Sequence, residues 1–170
     1  MPLKATNNAD GSITISEVKD NVSRETLADW MESYIGTYEY NGIVAECQKW
    51  FYGHVSKTAW CATFLSFALY NLGILEKNLS NKQENVYYMY ADLAKHCQPV
   101  SIQDTKRGDI VVLNFSETFS WNSHKHITVA YLDYNGSGLL DCVGGNQSDM
   151  VCRKMYAVDD VIAVFRPNYD

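Results

Sequence analysis

The stretch Thr58-Ala59-Trp60-Cys61-Ala62-Thr63-Phe64-Leu65-Ser66-Phe67-Ala68-Leu69, TAWCATFLSFAL, decides how the rest of the chain is read. It opens the most apolar run of the sequence, Ala59 to Leu75, which is broken by Cys61, Thr63, Ser66, Asn71 and Gly73. That run is shorter than the ~20 apolar residues needed to span a bilayer. A helix over Ala59 to Leu72 would be apolar nearly all round, which makes it a central, buried helix. Thr58 or Ser56 is placed to cap it, and Gly73 to end it. Cys61 then has two readings. A cysteine in an apolar helix is ordinarily core. In a first turn, the helix dipole and free N–H groups favour a thiolate and can hold an oxyanion.

The composition narrows the setting. The chain has 170 residues, 46% hydrophobic and 20% charged, and suits one globular domain over 1–170. A net charge of -6 and the absence of basic runs speak against nucleic acid or an anionic membrane as partner. The polar start MPLKATNNADGS lacks the apolar core of a secretory signal, so the expectation is cytoplasmic synthesis with delivery by other machinery. Five cysteines (47, 61, 97, 142, 152), with no CxxC and no zinc spacing, give neither a disulfide framework nor a structural metal site.

Helices come first along the chain. Leu27, Trp30, Met31 and Tyr34 make a helical stripe after Ser23, with Gly36 as its C-cap. Ile43 to Phe51 brings Val44, Cys47, Gln48 and Phe51 onto one side. Val86 to His96 is a further helix, with His96 at its dipole end. After Pro99 the pattern changes to short β-rich runs at 108–115, 126–133, 138–144, 150–156 and 161–167, with a turn at Asn135-Gly136. Helices followed by a run of strands predict an α+β fold with an antiparallel sheet.

The N-terminal residues 1–21 form a separate local unit. Thr6 to Glu17, TNNADGSITISE, has the spacing of an EF-hand calcium loop, with Asn8, Asp10, Ser12 and Glu17 at ligand positions and Gly11 at the sharp turn. Thr6 stands where the first aspartate belongs. That missing charge favours the simpler reading, a turn at Asp10-Gly11 followed by a strand from Ser12 to Ile15.

Downstream of Cys61, His126 opens an alternating strand, with Thr128 and Ala130 on its face and Ile127, Val129 and Tyr131 opposite. His124 has the same parity, and periodicity alone does not separate the two. VGGNQSD, Val143 to Asp149, offers Asn146 as a group that could orient an imidazole; otherwise Asn146 is a turn residue after two glycines.

WCATFLSFALYNLG, KRGDIVVLNF, HITVAYLD and GGNQSDMV, in that order, resemble the CHAP and NlpC-type papain-like cysteine peptidoglycan hydrolases. The resemblance covers about Tyr34 to Pro167 and leaves 1–21 outside. It implies a papain-like fold whose N-terminal helices, including a central nucleophile helix, pack on a C-terminal antiparallel sheet. It also implies Cys61 as nucleophile, His126 as general base and Asn146 as orienting residue. Two departures stand out: Gly144 replaces a glutamate often found two residues before the asparagine, and KHIT replaces GHVG. The activity implied is cleavage of an amide in the stem peptide or at the sugar–peptide junction, through a thioester and with no cofactor. Peptidoglycan would be the substrate of a phage endolysin, or of an injected effector with a cognate immunity protein. The alternatives are a cysteine peptidase or deamidase acting on protein, and a non-catalytic wall- or virion-associated module of the same fold.

Overall fold

The computed structural model describes residues 3–17 and 24–170. The expectations placed on Ser23 lie outside them. A two-stranded antiparallel hairpin comes first, β1 (Leu3–Asn7) and β2 (Ile13–Glu17), closed by a turn in which Gly11 has φ +84°. Helices follow: α1 (Thr26–Glu32), α2 (Gly42–Tyr52), α3 (Cys61–Asn71), the single turn α4 (Leu75–Asn78), and α5 (Val86–His96). The strands are β3 (Gln98–Val100), β4 (Ile110–Asn114), β5 (Lys125–Ala130), β6 (Leu139–Gln147), β7 (Met150–Ala157) and β8 (Val161–Arg166). They form one antiparallel sheet in the order β3-β8-β4-β5-β6-β7. The fold is α+β, as the order of helices and strands predicts. No helix among the described residues is long and apolar enough to cross a membrane.

Helix α3 is the centre of the molecule. Every residue from Cys61 to Leu69 is buried, as its all-round apolarity requires. It packs on the face of the sheet that carries Ile110, Val112, Ile127, Val129, Val143 and Val151. The opposite face has its own apolar cluster, including Val111, Leu113, Ala130, Leu140, Cys142 and Tyr156. The strand alternation is therefore real, with both faces of the central strands covered. All five cysteines are free thiols, and four of them are buried.

Three boundaries differ from expectation. Helix α3 begins at Cys61 rather than Ala59, and its N-cap is Trp60, whose side chain makes no capping bond. Thr58 does not cap it; its hydroxyl donates instead to Tyr52 Oη at 3.1 Å. Helix α1 stops at Glu32, and Gly36, at φ +95°, donates its N–H to Val151 O, tying the following turn to β7 rather than capping the helix. Strand β6 runs on through Gly144, Gly145 and Asn146 to Gln147, where a turn was the simpler expectation.

The aspartate of the GDIVV run ties the sheet to the C-terminus. Asp109 is fully buried and accepts from Arg166 Nε at 3.0 Å, Arg166 Nη2 at 2.9 Å and the Lys106 amide at 2.8 Å. Removing the cation would strand a buried carboxylate, which costs about 3–5 kcal/mol. The Arg153–Asp141 pair at 2.6 Å is more open to solvent, and such pairs are worth about 0–1 kcal/mol. Urea unfolding of Arg166→Leu should therefore show a much larger loss of stability than Arg153→Leu. Equal losses would mean that the buried pair is not what ties β8 to β4.

Candidate active site

The sheet opens at one end, and the candidate residues gather there. Strand β5 pairs with β6 only at Val129–Val143 and Ala130–Cys142. Towards His126 the two strands part, and the start of α3 lies at this opening. The Cys61 thiol faces the backbone of Ile127, of Ala62 and of Cys61 itself. Cys61 is thus the first helical residue, beside N–H groups that have no partner within the helix.

Strand β6 makes room for this arrangement with two glycines. A Cβ on Gly145 would lie 2.6 Å from Trp60 and 2.8 Å from Phe64, both fully buried residues at the start of α3. A Cβ on Gly144 would lie 2.5 Å from Thr128 Oγ1 on the other face. The glutamate that the resemblance would place at position 144 has no space here. The GG pair thus serves close approach, one glycine towards each side of the sheet.

The next residue changes the register. Gly144 pairs with Cys152 and Gln147 with Met150, so β6 holds one residue more than β7 across the same interval. This is a β-bulge, and Asn146 sits in it at φ +56°, a conformation that asparagine tolerates better than most residues. The extra residue inverts the alternation. Gln147, not Asn146, therefore lands on the face of His126 and Thr128.

The hydrogen bonds follow from that inversion. His126 Nε2 lies 3.1 Å from Gln147 Oε1. The same oxygen accepts from Thr128 Oγ1 at 2.8 Å and Tyr156 Oη at 3.1 Å, while Gln147 Nε2 donates to Cys152 O at 2.6 Å. With its nitrogen held by a carbonyl, the amide can present only oxygen to the imidazole. Nε2 therefore carries the proton, and Nδ1 is left as the basic nitrogen. Asn146 lines the cavity but makes no bond to His126 among the described residues. The hydrogen bond to His126 expected of Asn146 is made by its neighbour, Gln147. Asp141 is paired with Arg153 and makes no bond to His126 among the described residues.

Cys61 and His126 are 7% and 8% exposed, and both line a cavity of about 500 Å³ with Phe115, Asn146, Lys154 and Tyr156. His124 also borders the cavity, but it is exposed, precedes β5, and packs at a tilt against Phe115 with ring centroids 4.9 Å apart. Burial pushes the Cys61 thiol up, against the pull of the three backbone groups and the charge of Lys125. Burial lowers His126 to about 4; the Gln147 bond opposes this and Lys154 adds to it. The resting pair is therefore a neutral thiol and a neutral imidazole, not the thiolate that the helix start alone suggested. Tyr156 is raised by burial and stays protonated as a donor to Gln147.

The candidate metal loop is the tip of the β1–β2 hairpin. Asn8 Nδ2 donates to Ser12 Oγ at 3.0 Å and Thr14 Oγ1 at 2.8 Å, and Asp10 accepts from the Ser12 amide and hydroxyl. The Glu17 side chain lies outside the described residues. Among the described residues no cluster of three or more His, Cys, Asp and Glu is placed to hold a metal ion.

No protein-family model matches the chain, and no curated protein matches it. Among solved structures, the crystal structure of the wild-type endolysin LysIME-EF1 is similar, with a TM-score of 0.60 at 14% sequence identity. The match covers 87% of this chain, which spans 65% of that structure's length. The fold described here is thus similar to one found in an endolysin.

Proposed function

We propose that the protein is a papain-like cysteine peptidoglycan hydrolase, with Cys61 as nucleophile, His126 as general base and Gln147 as the residue that positions the imidazole. The observation that carries this reading is the convergence at one cavity of a cysteine at a buried helix start and a histidine with a fixed tautomer. The four sequence blocks and the endolysin-like fold support it. The substrate would be an amide of the stem peptide or of the sugar–peptide junction. Such an enzyme would act as a phage endolysin, or as an injected effector with a cognate immunity protein. A calcium ion at Asn8, Asp10, Ser12 and Glu17 would be structural and outside the chemistry.

His126 Nδ1 takes the thiol proton as the Cys61 sulfur attacks the carbonyl carbon, so the thiolate forms during the attack. The oxyanion lies at the N-terminus of α3, where unpaired N–H groups stabilise it. The C–N bond breaks as the imidazolium returns its proton to the leaving amine, and a thioester remains. Water, deprotonated by the same nitrogen, attacks the thioester; the C–S bond breaks and the thiol is restored. Gln147 holds Nε2–H throughout and transfers no proton.

Digestion of purified muropeptides with mass analysis tests the assignment and identifies the bond. Folded Cys61→Ala and His126→Ala should show no turnover, while His124→Ala, which alters an exposed ring, should retain most of it. A folded Cys61→Ala protein that still released products would overturn the mechanism.

Gln147 and Asn146 separate in a second experiment. Gln147→Ala should lower kcat by no more than the roughly 10²–10⁴-fold that acid–base help supplies. Asn146→Ala should act mainly on KM. The reverse order would place the orienting bond where the sequence alone suggested.

The pH profile gives a third test. With His126 lowered to about 4, its base form persists well below the usual ~6.5 of histidine. Activity should fall only as pH drops through about 4, where protonation removes the acceptor for the Cys61 proton. Gln147→Glu places an anion on Nε2–H, which favours the imidazolium and should move this acid limb upward. An acid limb that does not respond to this substitution would argue against the contact.

A further inference from the structure

The groove has two lobes that meet at Cys61. Ala59, Cys61, His124 and Lys125 line both. The first is the cavity already described, with His126, Lys154 and Tyr156 in its wall. The second, of about 260 Å³, is lined beyond the shared residues by Glu84, Asn85, Val86 and Ser123. Only the first contains His126. In the reading above His126 gives its proton to the leaving amine, so the leaving group must lie in the first lobe. The acyl part of the substrate, which stays on Cys61, then extends into the second.

The two lobes differ in charge. Among the described residues, Glu84 is the only carboxylate lining either of them. It is exposed and has no ion-pair partner among the described residues. Its position is nevertheless built: Glu84 Oε2 accepts from Tyr52 Oη at 2.7 Å, and Tyr52 Oη accepts from Thr58 Oγ1 at 3.1 Å. The preceding loop is pinned by Lys82 Nζ, which donates to the Trp50 and Phe51 carbonyls at the end of α2. The following residue, Asn85, caps α5 and donates to Trp121 O. Lys125 is common to both lobes and spends two donors on the Trp121 and Ser123 carbonyls. What distinguishes the lobes is therefore Glu84 on one side and Lys154 on the other.

We infer that Glu84 is a specificity determinant that selects an ammonium-bearing residue on the acyl side of the scissile amide. This rests on the proposal that Cys61 is the nucleophile and His126 the acid for the leaving group. A carboxylate held by a tyrosine hydroxyl keeps a second oxygen free, which can accept from a substrate ammonium. The lobe is open to solvent, so the preference should be moderate and should weaken with salt.

Peptidyl chloromethyl ketones test this without a natural substrate. Their alkylation is a simple displacement: a C–S bond forms at Cys61, chloride leaves, and the thiol proton passes to His126. Two probes carry lysine or Nε-acetyl-lysine at the acyl residue, and iodoacetamide serves as the reference reagent. The wild-type protein should react about five-fold faster with the lysine probe, as for an exposed ion pair. In Glu84→Gln, which preserves an acceptor for Tyr52, the ratio of the two rates should fall to about one. High salt should reduce the wild-type ratio in the same direction. If Cys61 reacts with iodoacetamide but does not discriminate between the probes, or if the preference survives in Glu84→Gln, the role of Glu84 is overturned and the nucleophile stands. If Cys61 reacts with none of the three, both inferences fall.

Discussion

The contact between Gly145 and the first turn of α3 is the constraint on which the site depends. Trp60 and Phe64 are large, fully buried side chains, and they reach the sheet only because β6 presents no side chain there. Interiors pack at crystal density, so there is little slack to absorb even one methyl group at such a point. The close approach sets the height of the helix start above the sheet, and with it the position of Cys61 relative to the parting of β5 and β6. Gly144 performs the matching task on the other face, where Thr128 lies close to the backbone.

The bulge that follows decides which side chain meets His126. A regular strand would turn Gln147 towards α3 and leave Asn146 on the imidazole side. One inserted residue reverses this and gives His126 a partner whose amide orientation is set by the Cys152 carbonyl. Thr128 and Tyr156 share the same oxygen, so the histidine joins a network in which each buried polar group has a reason for its position. Burial of the pair favours its neutral forms. In the proposed mechanism this would suit proton transfer during attack, and it keeps His126 unprotonated in mildly acidic surroundings.

The groove joins this centre to the parts of the fold that look least regular. Its walls include the start of α3, the loop before α5 and the loop before β5, held by the bonds of Tyr52 to Glu84, of Asn85 to Trp121 and of Lys125 to Trp121. Loops of this kind carry recognition on a rigid scaffold. Here the scaffold is held at its far end by Asp109 and Arg166, a buried pair linking the start of β4 to the end of β8.

By itself, the sequence determined the class of fold and the central helix. Those follow from local pattern: the all-round apolarity of Ala59 to Leu72, the alternation after His126 and the order of the β-rich runs are visible without any long-range contact. The hairpin at Asp10-Gly11 was legible for the same reason, because turn chemistry is local. The choice between His124 and His126 was not, since both have the same parity and only burial distinguishes them. Nor was the hydrogen-bond partner of His126. Asn146 and Gln147 are adjacent, and which of them meets His126 depends on a bulge created by the pairing of β6 with β7. The resting state of Cys61 was equally hidden: the dipole and N–H groups of a helix start favour a thiolate, but desolvation outweighs them once the helix is buried. Register and desolvation are properties of packed neighbours distant in the chain, and only the tertiary structure could decide them.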